Sequence, residues 1–182
     1  IFGHFIEKLP KQEEYLTIGF SPSFLPLKKR WQNNGLSADF ISDYFKTFFV
    51  SKQEEDGVAQ DEVFSDNLRG AVKYLVNELL ENAMKFQDES VPYTARIGFS
   101  LYNDKLIFCV TNGIAETQIE SFQSVIQELL TAEPQELYFN RMKANAMDTT
   151  NSYAGGLGLL SMVCDYSAKL GWKFDTIPIS PP

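Results

Sequence analysis

The segment LVNELLENAMKF, residues 75–86, sets two carboxylates and an amide into what otherwise reads as a plain amphipathic helix. Asparagine is a mediocre helix former because its amide competes for the backbone's own hydrogen bonds, so Asn82 in mid-helix calls for a reason. At about 100° per residue, Leu68, Val72, Leu75, Val76, Leu79 and Ala83 fall on one side, while Glu78, Glu81, Asn82 and Lys85 form a stripe on the other. Glu78 and Asn82 are thereby neighbours one turn apart. A solvated face with Lys85 paired to Glu81 is the plain alternative for such a stripe. A second element bears on the choice. In TNSYAGGLGLLSMVCDY, residues 150–166, Gly155, Gly156 and Gly158 directly precede an apolar helix. Such a backbone can curl closely around an anion and present unpaired amides and a positive dipole end to it. Its plain alternative is a linker ahead of a core helix.

The elements that must carry these residues follow from periodicity and turn chemistry. Residues 13–20, EEYLTIGF, predict a strand, after which Pro22 and Pro26 interrupt regular structure. Residues 37–50 predict a helix capped by Ser37, with Phe40, Ile41, Tyr44, Phe45, Phe48 and Phe49 on one wide apolar face. The polar run at 51–62 reads as a surface loop. Ser65 or Asp66 caps the next helix, which runs to about Gln87. Strands at 94–101 and 105–111 meet at an Asn103-Asp104 turn, and a further helix spans 116–131. The stretch 133–153 reads as polar and irregular. A last helix covers 157–170, Gly171 ends it, and WKFDTI closes as a strand. This order predicts a single α+β domain, with helices on one face of a mixed or antiparallel sheet.

Composition limits the partners. The chain has 182 residues, 44% of them hydrophobic, with fifteen phenylalanines, which excludes wholesale disorder. A net charge of −8 argues against nucleic acid, the one basic cluster being Lys28, Lys29 and Arg30. Cys109 and Cys164 sit in apolar runs without metal or disulfide spacing, so a reducing, cytoplasmic setting is expected. No apolar run approaches the roughly 18 residues that span a bilayer, and no signal peptide is evident.

The run from Glu78 to Phe86 resembles the N-box of the GHKL superfamily, which includes gyrase, Hsp90, histidine kinases and MutL. Gly155-Gly156-Leu157-Gly158-Leu159 resembles its G2 box. The resemblance covers residues 66–176 and implies the Bergerat fold, a two-layer α+β sandwich with helices on one face of a mixed, largely antiparallel sheet. Residues 1–60 stand outside it as a family-specific part. The glutamate four residues before the asparagine resembles the serine kinases of bacterial partner switching, and the short lid and overall size are similar to the SiaB-type kinases. That likeness implies ATP and Mg²⁺ as cofactors. Asn82 would place its amide oxygen on the metal, a neutral ligand for a hard cation. Glu78 would accept a proton from the attacking hydroxyl or orient it, and Lys85 would lie near the phosphates. Gly155, Gly156, Leu157 and Gly158 would form the lid backbone that approaches the phosphates.

One motif departs from the family. The G1 box carries Asp-x-Gly-x-Gly after a strand, and its aspartate accepts a hydrogen bond from the adenine amino group. Here the strand end reads FCVTNGIAE, so Asn112 stands in the aspartate's place beside Gly113. An amide oxygen still accepts that bond, and the plain alternative is a strand ending in an Asn-Gly turn. The resemblance therefore implies a kinase acting on serine or threonine of a small regulatory partner such as a STAS-like protein, with a homodimer allowed. The competing expectation is a degenerate nucleotide-binding or docking module. A histidine-kinase catalytic domain is a third option, although His4 lacks a dimerisation helix around it.

Overall fold

The computed structural model describes residues 1–9, 14–20, 34–56, 62–88, 93–102, 105–147 and 156–176. Among these residues ten elements follow in order: β1 Phe2–Gly3, β2 Glu14–Phe20, α1 Asn34–Asp56, α2 Glu62–Lys85, β3 Ala95–Leu101, β4 Leu106–Thr111, α3 Glu116–Thr131, α4 Pro134–Met147, α5 Leu157–Tyr166 and β5 Gly171–Trp172. They divide into two compact units, one of residues 1–11 with 117–182, the other of residues 12–116. The chain is α+β, with a three-stranded antiparallel sheet and a two-stranded one among the described residues.

In the unit of residues 12–116, β3 is the central strand, flanked by β2 and β4. Side chains alternate across a pleated strand, so Ile97, Phe99 and Leu101 share one face and are buried. Register places Leu16 and Phe108 opposite Phe99, and Ile18 and Val110 opposite Ile97, which makes two apolar rows across the sheet. Helices α1 and α2 cover this face through Ala38, Ile41 and Phe45 of α1 and Val72, Val76 and Leu80 of α2. Phe99 meets Phe45 at 6.0 Å and Phe108 edge-on at 5.5 Å between ring centroids. The helices run antiparallel, joined along their outer edge by Asp39 to Lys73 at 2.5 Å, Asp43 to Arg69 at 2.5 Å and Lys46 to Asp66 at 3.0 Å.

The other unit pairs β1 with β5, matching Phe2 to Trp172 and Gly3 to Gly171. A β-carbon on Gly171 would strike the His4–Phe5 backbone, so this close approach admits only glycine. Phe174 meets the rings of Phe2 at 5.9 Å and Phe122 at 6.0 Å, and Ile126, Leu160 and Met162 are buried.

Several expectations change. Helix α1 starts at Asn34 and continues to Asp56, so Ser37 lies inside it, not at its cap, and the expected 51–62 loop is helical in its first half. Polar residues with good helix propensity extend a helix as readily as they form a loop. Of its expected apolar face, Ile41 and Phe45 are buried but Phe40 is 58% exposed, and the Phe48 and Phe49 side chains lie outside the described ones. Helix α2 begins at Glu62, ahead of Ser65 and Asp66. The stretch expected to be irregular contains α4. Pro134 occupies its first turn, and the Glu133 carboxylate accepts the Glu136 N–H at 2.8 Å, a capped start with no apolar stripe behind it. Helix α5 stops at Tyr166, where Ser167 takes the left-handed conformation at φ 53° and the Ala168 N–H closes onto the Met162 carbonyl at 3.0 Å. Gly171 is thus a strand residue, and the expected closing strand is limited to Gly171–Trp172. Pro22, Pro26, the Lys28-Lys29-Arg30 cluster, the Asn103-Asp104 turn and Gly155 lie outside the described residues. Among the described residues, no helix is long and apolar enough to cross a membrane.

Candidate functional site

Helix α2 buries Val72, Val76, Leu80 and Ala83 in the core, which turns Glu78 and Lys85 to the far side and leaves Asn82 on the flank. Leu80 thus belongs to the buried stripe, whereas Leu75, expected there, is only half-buried. Glu78 and Asn82 are half-buried, and among the described residues neither side chain has a hydrogen-bond partner. Burial pushes the Glu78 carboxyl above the ordinary glutamate range, and the charge of Glu81 adds to the shift. Glu81 accepts from Asn77 Nδ2 at 3.2 Å, while Lys85 is exposed with its Nζ 5.4 Å from the Phe86 ring centroid. The plain pairing of Lys85 with Glu81 is therefore replaced by these two contacts. Of the motif stripe, Glu78 and Asn82 thus keep their side-chain polar atoms uncommitted among the described residues.

The carboxyl end of α2 is bound to the carboxyl end of β4. Gln87 is 8% exposed, and its Oε1 accepts the Gly113 N–H at 3.0 Å. Its Nε2 donates to the Asp88 carbonyl at 3.0 Å and the Tyr93 carbonyl at 3.4 Å. The Asp88 N–H in turn donates to the Gly113 carbonyl at 2.9 Å. That carbonyl also accepts Asn112 Nδ2 at 3.3 Å, which orients the amide and leaves Oδ1 available as an acceptor. The structure thus brings Asn112 and Gly113 against the end of the helix that carries Glu78, Asn82 and Lys85, all within one compact unit.

Gly156, Leu157 and Gly158 belong to the other unit. Gly156 caps α5 in the left-handed conformation, with φ 97° and ψ −8°, and its carbonyl accepts the Leu160 N–H at 3.3 Å. The Arg141 guanidinium of α4 lies against it and also pairs with Glu128 of α3. Arg141 was hidden in the sequence because its helix has no apolar periodicity, and Gln87 because nothing in its spacing announces burial. Pro134 after a glutamate was the available signal for α4.

The chain was compared with protein-family models, curated proteins and solved structures, and none of them matches it.

Proposed function

We propose that the protein is an ATP-binding kinase of the GHKL type, built on a Bergerat-type fold, that phosphorylates serine or threonine of a small regulatory protein. The observation that carries this reading is the pair Glu78 and Asn82, one turn apart on α2, half-buried and without a polar partner among the described residues. An amide and a carboxyl partly withdrawn from water and uncommitted to any protein partner among those residues keep their hydrogen-bonding capacity for a ligand. The sheet with α1 and α2 on one face is compatible with the fold, and the N-box, G2-box and strand-end motifs support it.

Among the described residues no three His, Cys, Asp or Glu side chains gather into a cation cage. A metal at Asn82 would take its remaining ligands from phosphate and water, as Mg²⁺ commonly does. The donor set therefore fits Mg²⁺ in a nucleotide complex. Bound Mg-ATP supplies the phosphoryl group and neutralises its charge. Asn82 contributes a neutral oxygen that adds no repulsion. Glu78 takes the proton of the incoming hydroxyl, and its raised pKa brings it closer to neutral pH, where a general base works best. Asn112 Oδ1 accepts from the adenine amino group. Lys85, Gly113, Gly156 and Gly158 enter through their motifs.

Asn112 in place of an aspartate favours a second reading, a docking module that keeps the fold and binds nucleotide weakly. Thermal-shift titration with Mg-ATP separates the two. A ligand at 100 times its Kd stabilises by about 2.7 kcal/mol. The kinase reading expects such a shift, reduced in Asn82→Ala when Mg²⁺ is present, and phosphoserine or phosphothreonine on a co-purifying partner. No shift at millimolar nucleotide leaves the docking module.

A further inference from the structure

We infer that Gln87 is a positioning residue that sets base selectivity, a reading that rests on the nucleotide-binding function proposed above. The Gly113 N–H lies in the peptide plane between Asn112 and Gly113, so the bond from it to Gln87 Oε1 fixes how that plane is turned. The Gly113 carbonyl lies in the next plane, and the Asp88 N–H fixes that one. The first of these planes carries the Asn112 α-carbon, and on its other side Asn112 follows directly from Thr111, which the sheet holds opposite Arg96. Held from both sides, the Asn112 side chain has its direction set, and its Nδ2 settles on the Gly113 carbonyl. Its Oδ1 then presents an acceptor. That acceptor matches the exocyclic amine of adenine and opposes the oxo group of guanine.

The Gln87 amide is suited to this because it uses both ends at once. It accepts from Gly113 and donates to the carbonyls of Asp88 and Tyr93, joining the strand end to the segment that leaves α2. Buried at 8% exposure, it has no water to replace a lost partner. Losing the Gly113 bond frees the plane on which Asn112 is mounted, and selectivity falls while the residues on α2 are untouched.

Two variants separate selectivity from general stability. Gln87→Met keeps the length and removes every hydrogen bond. Gln87→Glu keeps an acceptor for Gly113 and loses the donors for Asp88 and Tyr93, so both variants unfold earlier than wild type. Calorimetry with Mg-ATP, Mg-GTP and inorganic tripolyphosphate reads the effect. The ATP-to-GTP preference is expected to fall about tenfold in Gln87→Met, the worth of roughly one buried hydrogen bond, with tripolyphosphate affinity unchanged. In Gln87→Glu the preference is expected to remain. A preference that is wild-type in Gln87→Met, or that falls in both variants in step with their melting temperatures, overturns the role of Gln87. A wild-type protein that binds tripolyphosphate and both nucleotides alike overturns it as well and leaves phosphate binding standing. A wild-type protein that binds none of the three overturns the nucleotide reading itself.

Discussion

The guanidinium of Arg141 lies against Gly156, in the space a β-carbon at that position would fill. The glycine is needed for its left-handed φ of 97°, whereas the guanidinium, the far end of a flexible side chain, can move aside from a β-carbon. Gly156→Ala is therefore expected to cost about 1–2 kcal/mol from backbone conformation alone, measured by urea unfolding. Adding Arg141→Ser relieves the crowding and leaves the conformational part. A single variant as stable as wild type counts against the conformational cost.

Glu78→Gln tests a charge rather than a shape. Burial, with help from Glu81, makes the folded chain hold the Glu78 proton more tightly than the unfolded chain does. That contribution is fully present below the unfolded pKa and is lost as pH rises through the folded one. At neutral pH the ionised carboxylate thus opposes folding, and the variant is expected to be the more stable there. The like-charge neighbour one turn away contributes about 0.2–0.5 kcal/mol of this. The advantage should vanish in acid, and a pH-independent difference sinks the assignment. In the kinase reading the same variant still binds ATP, while transfer falls about 10²- to 10⁴-fold.

Asn112→Asp replaces a neutral acceptor with a charged one. If Asn112 faces the adenine amine, ATP is expected to bind about fivefold tighter, the difference between neutral and charge-assisted hydrogen bonds. The bond from Nδ2 to the Gly113 carbonyl is lost at the same time, so a lower melting temperature should accompany the tighter binding. Unchanged or weaker affinity by calorimetry removes Asn112 from the base contact.

Phe99 sits between Phe45 and Phe108 and is 1% exposed. Phe99→Ala is expected to cost about 3–5 kcal/mol in denaturant unfolding. Phe40, exposed on α1, should tolerate alanine to within about 0.5 kcal/mol. Comparable losses at the two positions contradict the packing of α1 described above.

Where apolar period and turn chemistry agreed, the sequence was easily read. Strands β2, β3 and β4 and helix α3 lie within a residue of expectation because alternation and a clean amphipathic stripe marked them. Helix α4 escaped notice because its stability rests on a capped start and contacts made elsewhere in the chain, neither of which leaves a period. The end of α5 was misplaced for a related reason. Ser167 accepted a conformation usually left to glycine, and Gly171 answered to the neighbouring Phe5 backbone instead. At the candidate site, the placement of Glu78 and Asn82 one turn apart on one helix was legible from their spacing. Gln87 was not, since its partners are backbone groups brought together only by tertiary structure.

The three ion pairs along α1 and α2 act as a check on alignment. Read down the seam, α1 offers minus, minus, plus at Asp39, Asp43 and Lys46, and α2 answers plus, plus, minus at Lys73, Arg69 and Asp66. Sliding one helix by a turn in one direction sets Lys46 beside Arg69, and sliding it the other way sets Asp43 beside Asp66. Either error brings like charges together, a penalty added to the loss of the correct pairs. Exposed pairs of this kind add little to stability, yet they discriminate between neighbouring alignments of two helices whose apolar faces would tolerate more than one. The position of Glu78 and Asn82 along the sheet is thereby protected by charges that never approach them, and raising the salt concentration should weaken that protection first.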